Sequence, residues 1–139
     1  MARTLRISLT DDQAARLKEA AAYLHRTPSE TAATYVAETL RERQFRHIDF
    51  RDNAGERLAY VRGTGLKVWL TVRLLRVAYD NNVHLMAQAL ETGDWAIQAA
   101  VDYATAYPEE IEPLIAQQES VTVEKLKENI PNLVVFEGQ

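Results

Sequence analysis

The chain has 139 residues, 47% hydrophobic and 26% charged, with no cysteine; that is one ordinary domain or two very small ones, with neither a disulfide framework nor a thiolate metal cage. No apolar run approaches the ~20 residues that span a bilayer, and residues 1–10 alternate instead of forming a signal-peptide core, so a soluble, untargeted, cytoplasmic protein is expected. The net charge of −4 is unevenly divided: residues 1–90 hold 14 Lys and Arg against 10 Asp and Glu, and residues 91–139 hold 2 against 10. A net +4 followed by a net −8 points to different partners for the two ends, a polyanion at the front.

From Arg3 to Leu9, Leu5, Ile7 and Leu9 fall on one side and Thr4, Arg6 and Ser8 on the other, the period of two that marks a strand. At Thr10 the pattern changes. Thr10 and Gln13 form a capping box, Asp11 and Asp12 suit a helix N-terminus, and Ala14, Leu17, Ala21 and Leu24 recur at helical spacing. After a break at His25-Arg26, Thr27, Pro28 and Glu30 supply an N-cap, an N1 proline and an N3 carboxylate for a second helix ending near Phe45. A lone strand leaves its backbone groups unpaired, and the simplest partner is a second copy. Two antiparallel copies lay Leu5, Ile7 and Leu9 on the helices and raise Thr4, Arg6 and Ser8 on a two-stranded ribbon, which has the width of a DNA major groove.

Over roughly residues 2–45 the pattern resembles the ribbon-helix-helix repressors of the CopG, Arc and MetJ type. The resemblance implies an obligate swapped-strand dimer, with Leu5, Ile7, Leu9, Val36 and Leu40 at its core. It implies base reading by Thr4, Arg6 and Ser8, with Arg6 suited to a bidentate contact to guanine, and phosphate binding by Arg3, Thr27, Ser29 and the second helix N-terminus. Two departures are plain: His25 stands where the family has glycine between the helices, and Pro28 removes an amide donor. The first requires His25 to take a left-handed conformation.

A second module is expected over residues 47–119. Ile48 to Arg51 alternates, Asp52-Asn53-Ala54-Gly55 reads as a turn, and Leu58 to Val61 as the return strand. The apolar stretch Leu66 to Leu70 completes a small sheet, with the glycines of Arg62-Gly63-Thr64-Gly65 in a tight turn between strands. Thr71 is expected to cap a helix containing Val72, Leu74, Leu75 and Ala78. Further helices follow over about His84 to Leu90, Trp95 to Tyr107 and Glu109 to Gln118, the central pair arranged like a helix-turn-helix. Trp69 and Trp95 are expected in the core before any role as interface anchors. The whole chain reads as α+β and mostly α.

The stretch Tyr60 to Val68, with Asp102-Tyr103-Ala104 and Pro108-Glu109-Glu110-Ile111, resembles a small uncharacterised bacterial winged-helix-like family often encoded beside toxins. Its hallmark is Arg-Gly-Thr, then a basic residue, an aliphatic and proline. Here Gly65 replaces the basic residue and Lys67 the proline. The resemblance implies VapB-type antitoxin service: repression of its own operon and binding of a toxin, a PIN-type ribonuclease or nuclease-like protein. From Val77 through Glu124 there is no Lys or Arg, which argues against a DNA-reading role for this module.

In the tail, residues 120–139, Val121, Val123, Leu126 and Ile130 have approximate helical spacing, followed by Pro131 and the strand-like Leu133 to Phe136. Either it folds back on the second module or it adds to a partner. His25, His47 and His84 lack metal-ligand spacing, and neither a catalytic motif nor a phosphate loop is present, so no metal, cofactor or enzymatic activity is expected. Sequence-specific DNA binding by a homodimer is the first expectation. The alternative is a stand-alone regulator whose second module binds a small ligand or mediates oligomerisation.

Overall fold

The computed structural model describes residues 2–117; the helix and strand expected in the tail lie outside the described residues. Its elements are α1 (Asp11–Tyr23), α2 (Pro28–Gln44), the hairpin β1 (Ile48–Asn53) and β2 (Glu56–Val61), then α3 (Val68–Ala78), α4 (Val83–Ala89) and α5 (Asp94–Ala106). A further helix, α6, covers residues 108–117. The described residues are therefore α+β and mostly helical.

The two N-terminal helices begin and end where the local chemistry places them. Thr10 caps α1 with a complete capping box: its hydroxyl accepts from Gln13 N at 3.2 Å, and its own N–H donates to Gln13 Oε1 at 2.9 Å. At the other end, Arg26 N–H donates to Ala21 O and His25 N–H to Ala22 O, the paired closure of a Schellman motif. His25 takes the left-handed position of that motif, with φ 54°. The strand expected over residues 3–9 is not formed within one chain. Residues 2–10 carry no helix or ladder and are exposed throughout, and among the described residues no other segment pairs with them.

The hairpin pairs Ile48 with Val61 through Asn53 with Glu56, antiparallel. Its turn sits on Ala54 and Gly55, at φ 51° and 84°; two positive φ values match the right-handed twist of the strands. The turn is thus tighter and one residue later than expected, with β1 running through Asn53 and β2 starting at Glu56. The expected third strand is a correction as well. Residues 66–70 contribute one isolated bridge, Tyr60 to Lys67, so the Arg62 to Gly65 turn joins a strand to a helix. α3 begins at Val68, with Lys67 at its N-cap. Thr71 does not cap it. Val68, Thr71, Val72 and Leu75 form the buried stripe of α3, and the Thr71 hydroxyl donates back to Lys67 O at 2.8 Å. Helical burial at i, i+3, i+4 and i+7 outweighs the capping signal.

The main core encloses Ile48, Phe50, Val61, Val68, Val72, Tyr103 and Ile111 between the hairpin, α3, α5 and α6, and a smaller cluster gathers Leu75, Met86, Ala87 and Ile97. Each large apolar side chain fully buried there contributes about 1.5–3 kcal/mol. Trp69 packs half-buried against the core, as expected. Trp95 does not: it is 48% exposed.

Candidate nucleic-acid interface

Thr4, Arg6 and Ser8, and Arg3 beside them, are all exposed. On the alternate positions, Leu5 is 85% exposed, Ile7 64% and Leu9 43%. Three large apolar residues in a row facing water are costly unless covered. α2 repeats the situation on one of its sides, where Val36 and Leu40 are 56% and 63% exposed. The five residues expected at a dimer core are thus all among the large apolar residues exposed in the described chain, together with Tyr23, Val77, Leu85, Leu90 and Trp95.

At the start of α2, the Thr27 hydroxyl accepts from Glu30 N at 3.1 Å and donates to Glu30 Oε1 at 3.0 Å. Thr27 is therefore occupied as a cap, and Pro28 brings no N–H. The group left for a phosphate at this terminus is Ser29, which is exposed. The Glu30 carboxylate, which stabilises the helix dipole, repels an anion approaching the same turn. Of the three side chains expected at phosphates, Arg3 and Ser29 are exposed and Thr27 is engaged as a cap.

Spacing along α2 divides it into opposite faces. Thr34, Glu38, Arg41 and Phe45 follow i, i+4, i+7 and i+11, and they look onto the second module. Ala33, Val36 and Leu40, all exposed, lie on the other side at 3.6 residues per turn. Sequence reasoning missed the first of these faces, because its polar residues carry no apolar period.

That face is held by buried charge. Glu38, only 7% exposed, receives Arg57 Nε on both carboxylate oxygens at 3.2 Å and Arg57 Nη2 on Oε1 at 2.7 Å. Burial opposes the charge on Arg57, but its hydrogen bonds to Glu38 and Asp52 outweigh that and raise its pKa. Arg57 also donates to Phe50 O at 3.2 Å, and Arg62 donates to Ile48 O at 3.0 Å. Guanidinium groups thus occupy carbonyls of an edge strand that would otherwise invite pairing.

A second cluster lies one turn further along. Arg41 Nη1 donates to Glu110 Oε2 at 3.0 Å and to the Tyr103 hydroxyl at 3.2 Å, and the Tyr103 hydroxyl donates to Glu110 Oε2. Burial pushes the Glu110 pKa up, against the opposing pull of Tyr103 and Arg41. Burial first, then the bond to Glu110, raises the Tyr103 phenol far above its usual range. Tyr107 donates to Gln44 Oε1 at 2.9 Å, and Phe45 meets the Tyr103 ring edge-on at 5.5 Å. Gly55 N–H donates to the Tyr23 hydroxyl at 3.0 Å, fixing the hairpin turn against the end of α1. Between α2, the hairpin and α6 lies an open cleft of about 640 Å³, bordered by Leu24, Phe50, Leu58 and Leu114 with Arg26, Glu38, Arg41 and Arg57.

On the second module, the Trp95 indole lies 5.0 Å from the His47 ring, and His84 Nδ1 is 3.0 Å from Asp94. Among the described residues no group of three or more His, Cys, Asp or Glu is placed to hold a metal ion, and no helix is long and apolar enough to cross a membrane. No known protein family, curated protein or solved structure gives a significant match to the chain.

Proposed function

We propose that this protein is a dimeric DNA-binding repressor of the ribbon-helix-helix type, serving as the antitoxin of a type II toxin–antitoxin pair. The observation that carries the reading is the uncovered apolar face of residues 5, 7 and 9, together with Val36 and Leu40. A second copy covers it by pairing residues 3–9 of the two chains into an antiparallel, swapped ribbon. The opposite face of that ribbon then carries Thr4, Arg6 and Ser8 twice, related by the dimer axis, into the major groove. Arg3 and Ser29 sit beside it to meet phosphates, and Arg26, an exposed cation in the turn between the helices, adds to them.

The antitoxin half of the reading is supported by the second module. Beyond its hairpin, from residue 77 to 117, it carries no Lys or Arg and seven Asp and Glu (Asp80, Glu91, Asp94, Asp102, Glu109, Glu110 and Glu112). A surface of that sign repels DNA and suits a basic protein such as a ribonuclease toxin. The mechanism is binding throughout, with no covalent step.

Titration of labelled promoter DNA with wild type and Arg6→Ala tests the first half; equal affinity and equal specificity remove Arg6 from base reading. Co-purification from the native host with mass spectrometry tests the second. A stand-alone regulator with a small ligand in the second module is the other reading, favoured by the 640 Å³ cleft between the modules. A chain that purifies without a protein partner, and whose DNA affinity shifts with a small-molecule extract, selects it.

A further inference from the structure

α1 and α2 enclose very little. Their buried residues are Ala21, Leu24, Thr31 and Glu38, and helices in proteins owe most of their stability to the apolar face they pack. The second module has two apolar clusters of its own. The asymmetry is directional: the second module stands on its own core, whereas α1 and α2 lean on neighbours. One of those neighbours is the second module, which meets α2 along a single face through partly buried, directional contacts.

We propose that the second module is the scaffold on which α2 is held, and that its docking, through Arg57 to Glu38 and through Arg41 to Glu110 and Tyr103, is thermodynamically linked to dimer formation on the opposite face of the same helix. This linkage rests on the dimer reading given above. When the second module lets go, α2 loses the contacts on its Glu38 face, and its exposed Val36 and Leu40 are no longer held in register. Dimerisation then has to supply the ordering of α2 as well as the burial of the ribbon, and is weakened by that amount. Linkage is reciprocal, so dimerisation on one face tightens docking on the other. A protein partner that competes for the hairpin or for α6 loosens the DNA-binding dimer, and one that seals the module onto α2 strengthens it. The device thus connects occupancy of the second module to DNA release without any contact between partner and DNA.

The test uses the full chain as wild type, Arg57→Met, the charge-free pair Arg57→Met with Glu38→Gln, and Tyr103→Phe. The last keeps the ring in the core and removes only its hydroxyl contacts, so it remains informative where a harsher variant unfolds. Sedimentation over a dilution series reads the dimer Kd, and hydrogen exchange reads α2 and the second-module core separately. The expected result is roughly tenfold lower protection of α2 amides and roughly tenfold weaker dimerisation in Arg57→Met, with the protection of α3 and α5 retained. The charge-free pair recovers part of both, and Tyr103→Phe moves both in the same direction by a smaller factor. A dimer Kd within twofold of wild type in both Arg57→Met and Tyr103→Phe, alongside lowered α2 protection, overturns the linkage. Equal loss of protection in α2 and in α3 and α5 overturns the scaffold. A wild type that is monomeric at every concentration removes the dimer reading itself, an outcome that wild type alone distinguishes from the other two.

Discussion

Arg57, on the second strand of the hairpin, grips Glu38, in the middle of α2, across 19 residues of sequence, with its closest contact at 2.7 Å. The Glu38 side chain is 9% exposed and that of Arg57 20%, so removing one partner leaves the other charge largely out of water. Such truncations are strongly destabilising, whereas removing both charges together is far milder. Glu38→Ala is expected to cost about 2–4 kcal/mol in urea denaturation, and Glu38→Gln combined with Arg57→Met clearly less. Equal losses for the single and double variants would show that the pair is not a unit.

His25 closes α1 at φ 54°, a conformation that costs a non-glycine residue about 1–2 kcal/mol. His25→Gly relieves it, and the greater freedom of glycine in the unfolded chain returns part of the gain. A net stabilisation of about 0.5–1 kcal/mol is expected in thermal or urea unfolding, with DNA binding unaltered. A loss of DNA affinity with unchanged stability would instead give the imidazole a role at the phosphate backbone.

Burial raises the Glu110 pKa in the folded chain, so the native state holds that proton more tightly than the unfolded state does. Its contribution to stability is fully present below the unfolded pKa, about 4.3, and is lost as pH rises through the folded value. Glu112 has the opposite sign: its hydrogen bond from Arg76 lowers its pKa, so its contribution appears above the unfolded value and is lost on acidification. Unfolding midpoints from pH 3 to 7 check both. Glu110→Gln should gain on wild type as pH rises, and Glu112→Gln should gain as pH falls.

Each Val36 and Leu40 that a dimer buries contributes about 1.5–3 kcal/mol, and two-fold symmetry counts every substitution twice. Leu40→Asp is therefore expected to weaken dimerisation by about a hundredfold or more in sedimentation equilibrium. Lys18, exposed on α1, serves as the control, with Lys18→Ala unchanged.

A methyl group on residue 93 would fall 2.5 Å from Trp95 Cδ1. Gly93→Ala therefore drives the indole off His47 while the backbone, at φ −75°, accepts alanine without strain. Because Trp95 is half exposed, the stability loss is small, about 0.5–1 kcal/mol. Tryptophan emission, with Trp95→Phe as the reference for Trp69, should register the move clearly.

The sequence by itself determined the helices, the N-caps of α1 and α2 and the presence of the hairpin, because those depend on neighbours a few residues away. Thr10 with Gln13, Thr27 before Pro28, and the left-handed His25 all behave as their local chemistry requires. It also marked the alternation of apolar and polar residues over 4–9, a period of two that belongs to a strand and that the single chain does not form. Where two local signals competed, it failed: Thr71 carried a capping signal, and burial of its face moved the start of α3 back to Val68. Only the tertiary structure decided that α2 is claimed on its Glu38 face, that Arg41 meets Glu110 across 69 residues, and that Trp95 faces water. Charged partners brought together by chain topology leave no periodicity to read, because a salt bridge needs only two side chains at the right distance, wherever the chain supplies them.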